Sequence, residues 1–358
     1  MAVVGVVRAH AFPAAPGARA SDVTATMAPM PVKRPRLRKK RYALAAVLGL
    51  LAGFAYLNNT SLLAAPSDQR PRVLAHRGLA QTFSTEGVEN DTCTAERIAP
   101  PPHGYLENTI PSMRAAFDAG ADLVELDVHI TRDGQFAVFH DWEVDCRTEA
   151  TGTTRDFTMA ELRGLDVGYG YTADGGRTFP FRGKGEGLMP SLDEVLAEFP
   201  HEPLLIHVKS DDPAEGEALA RRLSALDPPR LAEIAVYGGD APVRVVRERL
   251  PRVRTMSKAI MKDCLLSYEA VGWTGAAPGA CANTELHVPE GYAPWLWGWP
   301  SKFTERMESV GSRVVLVAGS GGFSEGFDTP ESLRRVPEEF TGYVWTNRAE
   351  VVAPLIRR

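Results

Sequence analysis

The sequence predicts an α/β protein, a (β/α)8 TIM barrel preceded by an N-terminal membrane anchor or signal helix. Three observations lead there. Short apolar runs alternate with helix-like patterns over about 290 residues from Val73 onward, a length that suits a closed parallel barrel. Four of those runs lead into ionisable residues at their C-terminal ends, the rim where barrel active sites are built. A dense basic cluster and then an apolar run come before all of them.

Residues 1–66 hold nine Lys or Arg and one acid, a net of +8, so the remainder carries −13 of the overall −5. With no basic surplus in the main domain, nucleic-acid binding is excluded as its business. Residues 1–41 read as a disordered basic segment, with seven of the nine positions from Lys33 to Arg41 basic. The apolar run Tyr42–Leu57 follows, and residues 42–65 are expected to form a transmembrane anchor. The alternative is a cleaved signal peptide. In either case the barrel, residues 70–358, lies outside the cytoplasm, periplasmic or extracellular.

Nine strands are expected: 73–76, 123–130, 136–140, 204–209, 234–237, 253–256, 285–288, 314–318 and 343–346. That is one more than the barrel needs, so one is peripheral. Helices are expected from a Thr109 cap with Pro111 in the first turn, and over 191–198, 214–225, 241–250, 303–310 and 348–356. Residues 166–187, rich in Gly and aromatics, read as an inserted loop region.

Strands of a parallel barrel are buried on both faces and should be nearly all apolar. In Leu123-Val124-Glu125-Leu126-Asp127-Val128-His129, alternation instead puts Glu125, Asp127 and His129 on one face. His76-Arg77-Gly78 follows the first strand, His140-Asp141 closes the third, and His207 and Lys209 share a face of the fourth. A buried carboxylate needs a partner or a cation. The pair Glu125 and Asp127 suits a hard divalent ion such as Mg²⁺ or Ca²⁺. Histidines at other strand ends suit acid–base work near neutral pH, and Arg77 with Lys209 suits an anionic substrate. His129 lies deeper in its strand and reads as a core histidine. Together these groups describe phosphodiester hydrolysis.

The ordered set His76-Arg77-Gly78, Glu107-Asn108-Thr109, Gly120 to Val128, Thr131-Arg132-Asp133-Gly134 and His140-Asp141 resembles the glycerophosphodiester phosphodiesterase family. Pro190 to Leu196 is similar to a later helix start of that family, and Val344-Trp345-Thr346-Asn347 is a weaker echo. The resemblance implies a TIM barrel that binds one divalent metal ion, Mg²⁺ or Ca²⁺, and cleaves glycerophosphodiesters to glycerol 3-phosphate and an alcohol. It makes His76 and His140 the acid–base pair and gives Glu125 and Asp127 to the metal. Glu107 then either touches the metal or orients Arg77, and Arg77 and Lys209 contact phosphate. Two departures stand out. His207 occupies the position where the family carries a Glu as third metal ligand, which favours a borderline ion such as Zn²⁺ or Mn²⁺ and puts the metal's identity in question. The stretch from Leu79 to Leu106 is long for the family and is expected to overlie the site and shape substrate choice.

Cys93 and Cys146 both fall on expected mouth loops, where a disulfide would pin the lid in an oxidising compartment. Cys264 and Cys281 would form a second bridge; four free thiols are the alternative. Trp295, Trp297 and Trp299 read as core, or else as a greasy wall for an acyl or glycerol group. The expected partners are a small glycerophosphodiester or lysophospholipid and, through the N-terminal segment, a membrane. Alternative functions are a lysophospholipase D or cyclising phospholipase D-like activity on lipids, and a catalytically silent phosphodiester-binding barrel.

Overall fold

A computed structural model describes residues 36–60, 69–89, 92–320 and 325–357. The segment expected to be disordered, up to residue 35, lies outside the described residues, as do residues 61–68. The chain divides into two compact units, residues 1–50 and 51–358. In the first, helix α1 (Arg36–Asn59, continuing into the second) begins inside the basic cluster rather than at Tyr42 and ends at Asn59 rather than at residue 65. Its Lys39–Asn59 portion is long and apolar enough to cross a membrane, and its apolar side chains are exposed, which rules out a buried core helix.

Among the described residues of the second unit there are nine strands: β1 (Arg72–Ala75), β2 (Leu123–Ile130), β3 (Phe136–Val138), β4 (Leu204–Val208), β5 (Ile234–Gly238), β6 (Arg254–Ser257), β7 (Glu285–Pro289), β8 (Arg313–Val317) and β9 (Tyr343–Thr346). Eight of them run parallel in the order β6-β5-β4-β2-β1-β9-β8-β7. A single parallel bridge, Thr255 to Thr284, brings β6 against the start of β7, so the barrel is nearly closed. The ninth is β3, which pairs antiparallel with the far end of β2 and stands outside the ring. It is therefore the peripheral strand, and it stops at Val138, freeing His140 from the sheet.

The helices are α2 (Ile110–Ala119), α3 (Met159–Arg163), α4 (Leu192–Glu198), α5 (Pro213–Leu223), α6 (Pro228–Ala232), α7 (Asp240–Arg249), α8 (Lys258–Val271), α9 (Ser301–Ser309), α10 (Pro330–Leu333) and α11 (Ala349–Ile356). Helix α8 was not expected from the sequence. Ser257 ends β6 and caps α8 at once, accepting from the Ile260 N–H, so no loop composition separates strand from helix.

The inward faces of the strands explain how the site is placed. Leu74, Leu123, Leu205, Ala235, Val315 and Trp345 belong to the apolar barrel interior. Two residues further along β2, β4 and β5 the same face turns polar, at Glu125, His207 and Tyr237. A larger apolar layer lies between strands and helices. A separate small core, including Ala95, Ile98, Val144, Tyr171, Phe181 and Met189, packs the long 79–106 stretch against the inserted 166–187 region. Cys93–Cys146 and Cys264–Cys281 are both bonded.

Candidate active site

The chain turns sharply after β1. Arg77 takes φ 61° and Gly78 φ 75°. A Cβ on Gly78 would lie 2.6 Å from the Ser112 hydroxyl, so the close pass over α2 requires glycine. Arg77 is left pointing into the barrel mouth. Its Nη1 donates to Glu107 at 2.9 Å, its Nε donates to His76 Nε2 at 2.9 Å and lies 3.3 Å from Asp127, and its backbone N–H donates to Glu125 at 3.1 Å.

Glu107-Asn108-Thr109 performs three tasks in three residues. Glu107 grips Arg77. Asn108, held at φ 58°, donates through Nδ2 to Asp127 Oδ2 at 3.0 Å and accepts the Asp127 N–H at 3.1 Å. Thr109 caps α2 in a reciprocal capping box with Ser112.

Glu125 and Asp127 are fully buried on β2. The β2–β4 register sets Asp127 against His207, and the β4–β5 register sets His207 against Tyr237. His207 Nδ1 is 2.8 Å from Asp127 Oδ1 and 3.8 Å from Glu125 Oε1, and its ring stacks on Tyr237 at 4.1 Å. Tyr237 donates its hydroxyl to Glu125 at 2.7 Å. Lys209 Nζ lies 3.6 Å from Asp127. Burial, aided by the neighbouring Asp127, pushes the Glu125 carboxyl well above the usual carboxylate range. Burial also opposes the charge on Asp127, yet Lys209, His140 and Arg77 hold it well below its ordinary value.

Glu125, Asp127 and His207 offer ligand atoms that all lie within 4.8 Å of one another. The crowding that makes Glu125 hold a proton is what a divalent cation relieves, and two carboxylates with one imidazole fit a borderline ion better than Ca²⁺. Glu107, expected as a possible fourth ligand, is not in this group. Its oxygens lie 2.9 Å from Arg77 and 3.2 Å from Arg147.

The two histidines are supported differently. His76 Nδ1 is 2.6 Å from Asn347 Oδ1, its Nε2 is 3.9 Å from Glu125, and its ring lies on Trp345. Burial and the Arg77 charge keep His76 well below its usual pKa. His140 Nδ1 is 2.6 Å from Asp141 Oδ1. Burial and Arg77 also lower His140, while Asp127 and Asp141 oppose that shift. His129 is in the core, its Nε2 3.1 Å from the His140 carbonyl and its ring edge-on to Trp142.

Sequence reasoning missed Arg147. It is fully buried, its Nε donates to Asp141 Oδ2 at 2.7 Å, and its other nitrogens reach Glu107, Tyr171 and Thr94 (2.9 Å). One guanidinium thus braces both the carboxylate behind His140 and the carboxylate behind Arg77. Its position six residues after Asp141 was a signal only once those partners were known. Asn108 and Asn347 stood in the motifs without a role assigned to them, and Tyr237 was passed over, for the same reason.

A cavity of about 400 Å³ opens above His76, Arg77 and Glu107. Gln81, Phe83 and Thr85 from the long stretch line it, as expected for a segment lying over the site. Trp299 packs on Phe303 and Phe340, whereas Trp295 and Trp297 are exposed, so core packing holds for one of the three.

The model of the glycerophosphoryl diester phosphodiesterase family matches residues 76–234. The glycerophosphodiester phosphodiesterase of Bacillus subtilis is 36% identical over 203 residues, 52% of this chain and 68% of that protein. A lysophospholipase D of Homo sapiens is 30% identical over 147 residues, 40% of this chain and 43% of that protein. The crystal structure of a glycerophosphodiester phosphodiesterase from Agrobacterium tumefaciens superposes with a TM-score of 0.52 at 22% identity, covering 79% of this chain and 99% of that one, a likeness of fold.

Proposed function

The chain belongs to the glycerophosphodiester phosphodiesterase family, and from that premise we propose that it hydrolyses glycerophosphodiesters to glycerol 3-phosphate and an alcohol with His76 and His140 as its acid–base pair. The observation that carries this reading is the convergence of His76, Arg77, Glu125 and Asp127 at one rim of the barrel, with His140 close enough to feel both Arg77 and Asp127.

Arg77 and Lys209 receive the phosphodiester anion. His140 is the better base for the first step: Nδ1 is committed to Asp141, Asp141 is kept ionised by Arg147, and Nε2 takes the proton while the carboxylate stabilises the imidazolium. The hydroxyl it activates is the glycerol 2-OH, whose oxygen attacks phosphorus as His76 gives a proton to the departing alcohol oxygen. Water then opens the cyclic phosphate with the two roles exchanged. An anion against Arg77 removes one of the causes that keep His76 neutral, so the substrate itself readies the acid. A divalent cation bound by Glu125, Asp127 and His207 would supply Lewis-acid polarisation of a phosphoryl oxygen.

We read α1 as a retained anchor with the barrel outside the cytoplasm. The basic residues before the apolar run and the two disulfides support that side. The likeness to the human lysophospholipase D, together with that helix, favours a second reading in which the same site takes lysophospholipids.

The test is release of glycerol 3-phosphate from glycerophosphocholine, with lysophosphatidylcholine run in parallel. EDTA and His140→Ala are each expected to abolish turnover, the variant by about 10²–10⁴-fold. Turnover that survives both, or no turnover with any divalent ion, overturns the proposal. Faster turnover of the lysolipid establishes the second reading.

A further inference from the structure

We propose that the aromatic surface of Tyr292, Trp295 and Trp297 rests in the headgroup layer of a lipid bilayer, beside the point where α1 leaves it. This rests on the reading of α1 as a retained anchor.

The last turn of α1 is tied to the barrel by its polar groups. Helix ends leave backbone carbonyls without partners. Here the Asn58 carbonyl accepts from Arg306 Nη2 of α9 at 2.9 Å, and Arg306 Nη1 donates to Asn59 Oδ1 at 2.8 Å. Asn58 and Asn59 in turn donate through their side-chain amides to the Trp273 carbonyl, at 3.2 and 3.0 Å, and Phe54 lies edge-on to the Trp273 ring. Residues 54–59 are therefore fastened to α9 and to the turn that follows α8. The spanning portion is 21 residues, Lys39–Asn59, close to the roughly 20 that cross the hydrocarbon core, so Asn58 and Asn59 sit at its outer boundary. Groups fastened to them lie at the same level.

The exposed aromatics are joined to that fastening by short contacts. Arg306 Nη1 also donates to the Tyr268 hydroxyl at 2.9 Å and to the Gly272 carbonyl at 3.0 Å. Tyr268 donates to the Trp297 carbonyl at 2.7 Å, the Trp297 indole N–H donates to the Glu269 carbonyl at 3.0 Å, and the Trp297 ring lies against Gly272. The Trp295 N–H donates to the Tyr292 carbonyl at 3.0 Å. Trp295 is 77% exposed, Trp297 and Tyr292 each 37%, and Leu266 of α8 adds an exposed aliphatic. Indole and phenol rings, apolar in body and polar at one edge, concentrate at the membrane–water boundary. An aromatic surface bolted to the exit of a spanning helix is what that layer takes up.

The full chain, reconstituted in phosphatidylcholine vesicles containing lipid brominated near the headgroup, tests this by tryptophan quenching. Retention of the chain through an alkaline wash checks the anchor reading by itself; release of uncleaved chain overturns both. With the chain retained, the double variant Trp295→Phe/Trp297→Phe is expected to lose at least half of the quenchable emission, and Trp142→Phe to keep it. Both variants should hydrolyse glycerophosphocholine as the parent does, which reports correct folding. Unchanged quenching in the double variant overturns the proposal. So does dimerisation lost with those two indoles, which would assign the surface to a second copy of the chain.

Discussion

At the scale of the residue, the groups that carry charge to the barrel mouth were legible in the sequence because they break a rule. Glu125, Asp127, His207 and Lys209 interrupt strands that should be apolar, and His76-Arg77 and His140-Asp141 stand where such strands end. The roles of Asn347 and Tyr237 were not legible, because each works through a partner distant in sequence: Asn347 meets His76 across 271 residues, and Tyr237 meets Glu125 across 112. His207 supports the sharpest prediction at this scale. Its imidazole stands among the possible ligands where the family resemblance leads one to expect a carboxylate, and imidazole suits Zn²⁺ and Mn²⁺ while carboxylate suits Mg²⁺ and Ca²⁺. The parent should be activated more by Mn²⁺ or Zn²⁺ than by Ca²⁺. His207→Glu should shift that preference toward Ca²⁺ and Mg²⁺ by tenfold or more in the activating concentration. Activity titrations with each ion after chelation measure it, and an unchanged order would remove His207 from the metal's surroundings.

At the scale of the element, the strands were read closely because their apolar runs are bounded by turn residues, whereas β3 and α8 were not fully read. Whether a run joins the ring depends on its pairing partner, and β3 folds back on β2. The loops carry the other lesson. Cys146 immediately precedes Arg147, and Cys93 immediately precedes Thr94, which accepts from Arg147. The disulfide thus clamps both sides of the guanidinium that holds Asp141 behind His140. In the chain-entropy account, closing a loop with a sequence separation of 53 contributes about 4 kcal/mol. The Cys93→Ser/Cys146→Ser variant should melt earlier and lose kcat with little change in KM. Loosened Asp141 supports the His140 imidazolium less, so the acidic limb of its pH–rate profile should move to lower pH. Cys264→Ser/Cys281→Ser, whose bridge ties α8 to the stretch before β7, should lose stability while keeping the parent profile. Equal profiles in all three proteins would show that the mouth disulfide only staples the loop.

At the scale of the whole molecule, the barrel is stabilised by apolar layers and then made to hold buried charge at one end, and the cost depends on pH. Glu125, whose carboxyl burial and Asp127 push up, keeps its proton in the folded chain over a range where the unfolded chain has lost it. The unfolded state then binds fewer protons, so without a bound cation stability falls as pH rises above about 4.5 and through the raised folded value. Asp127 runs the other way: its depressed value contributes stability above about pH 3.8 that is lost only as pH falls further, so between pH 5 and 8 its contribution is constant. His129, lowered to about 4, and His76, His103, His140, His207 and His287, all lowered mainly by burial, run against Glu125, adding stability as pH rises through about 6.5. The Glu125 contribution is therefore read as the difference between the parent and Glu125→Gln. A divalent ion needs that carboxylate ionised, so its binding releases a proton and tightens as pH rises. From pH 6.5 to 8 the chelated parent should lose melting temperature relative to chelated Glu125→Gln, and the increase on adding Mn²⁺ to the parent should be larger at pH 8 than at pH 6.5. Glu125→Gln should flatten the pH dependence of the metal-induced increase. A metal-induced increase independent of pH, or one that survives Glu125→Gln in full, would place the cation elsewhere than between β2 and β4.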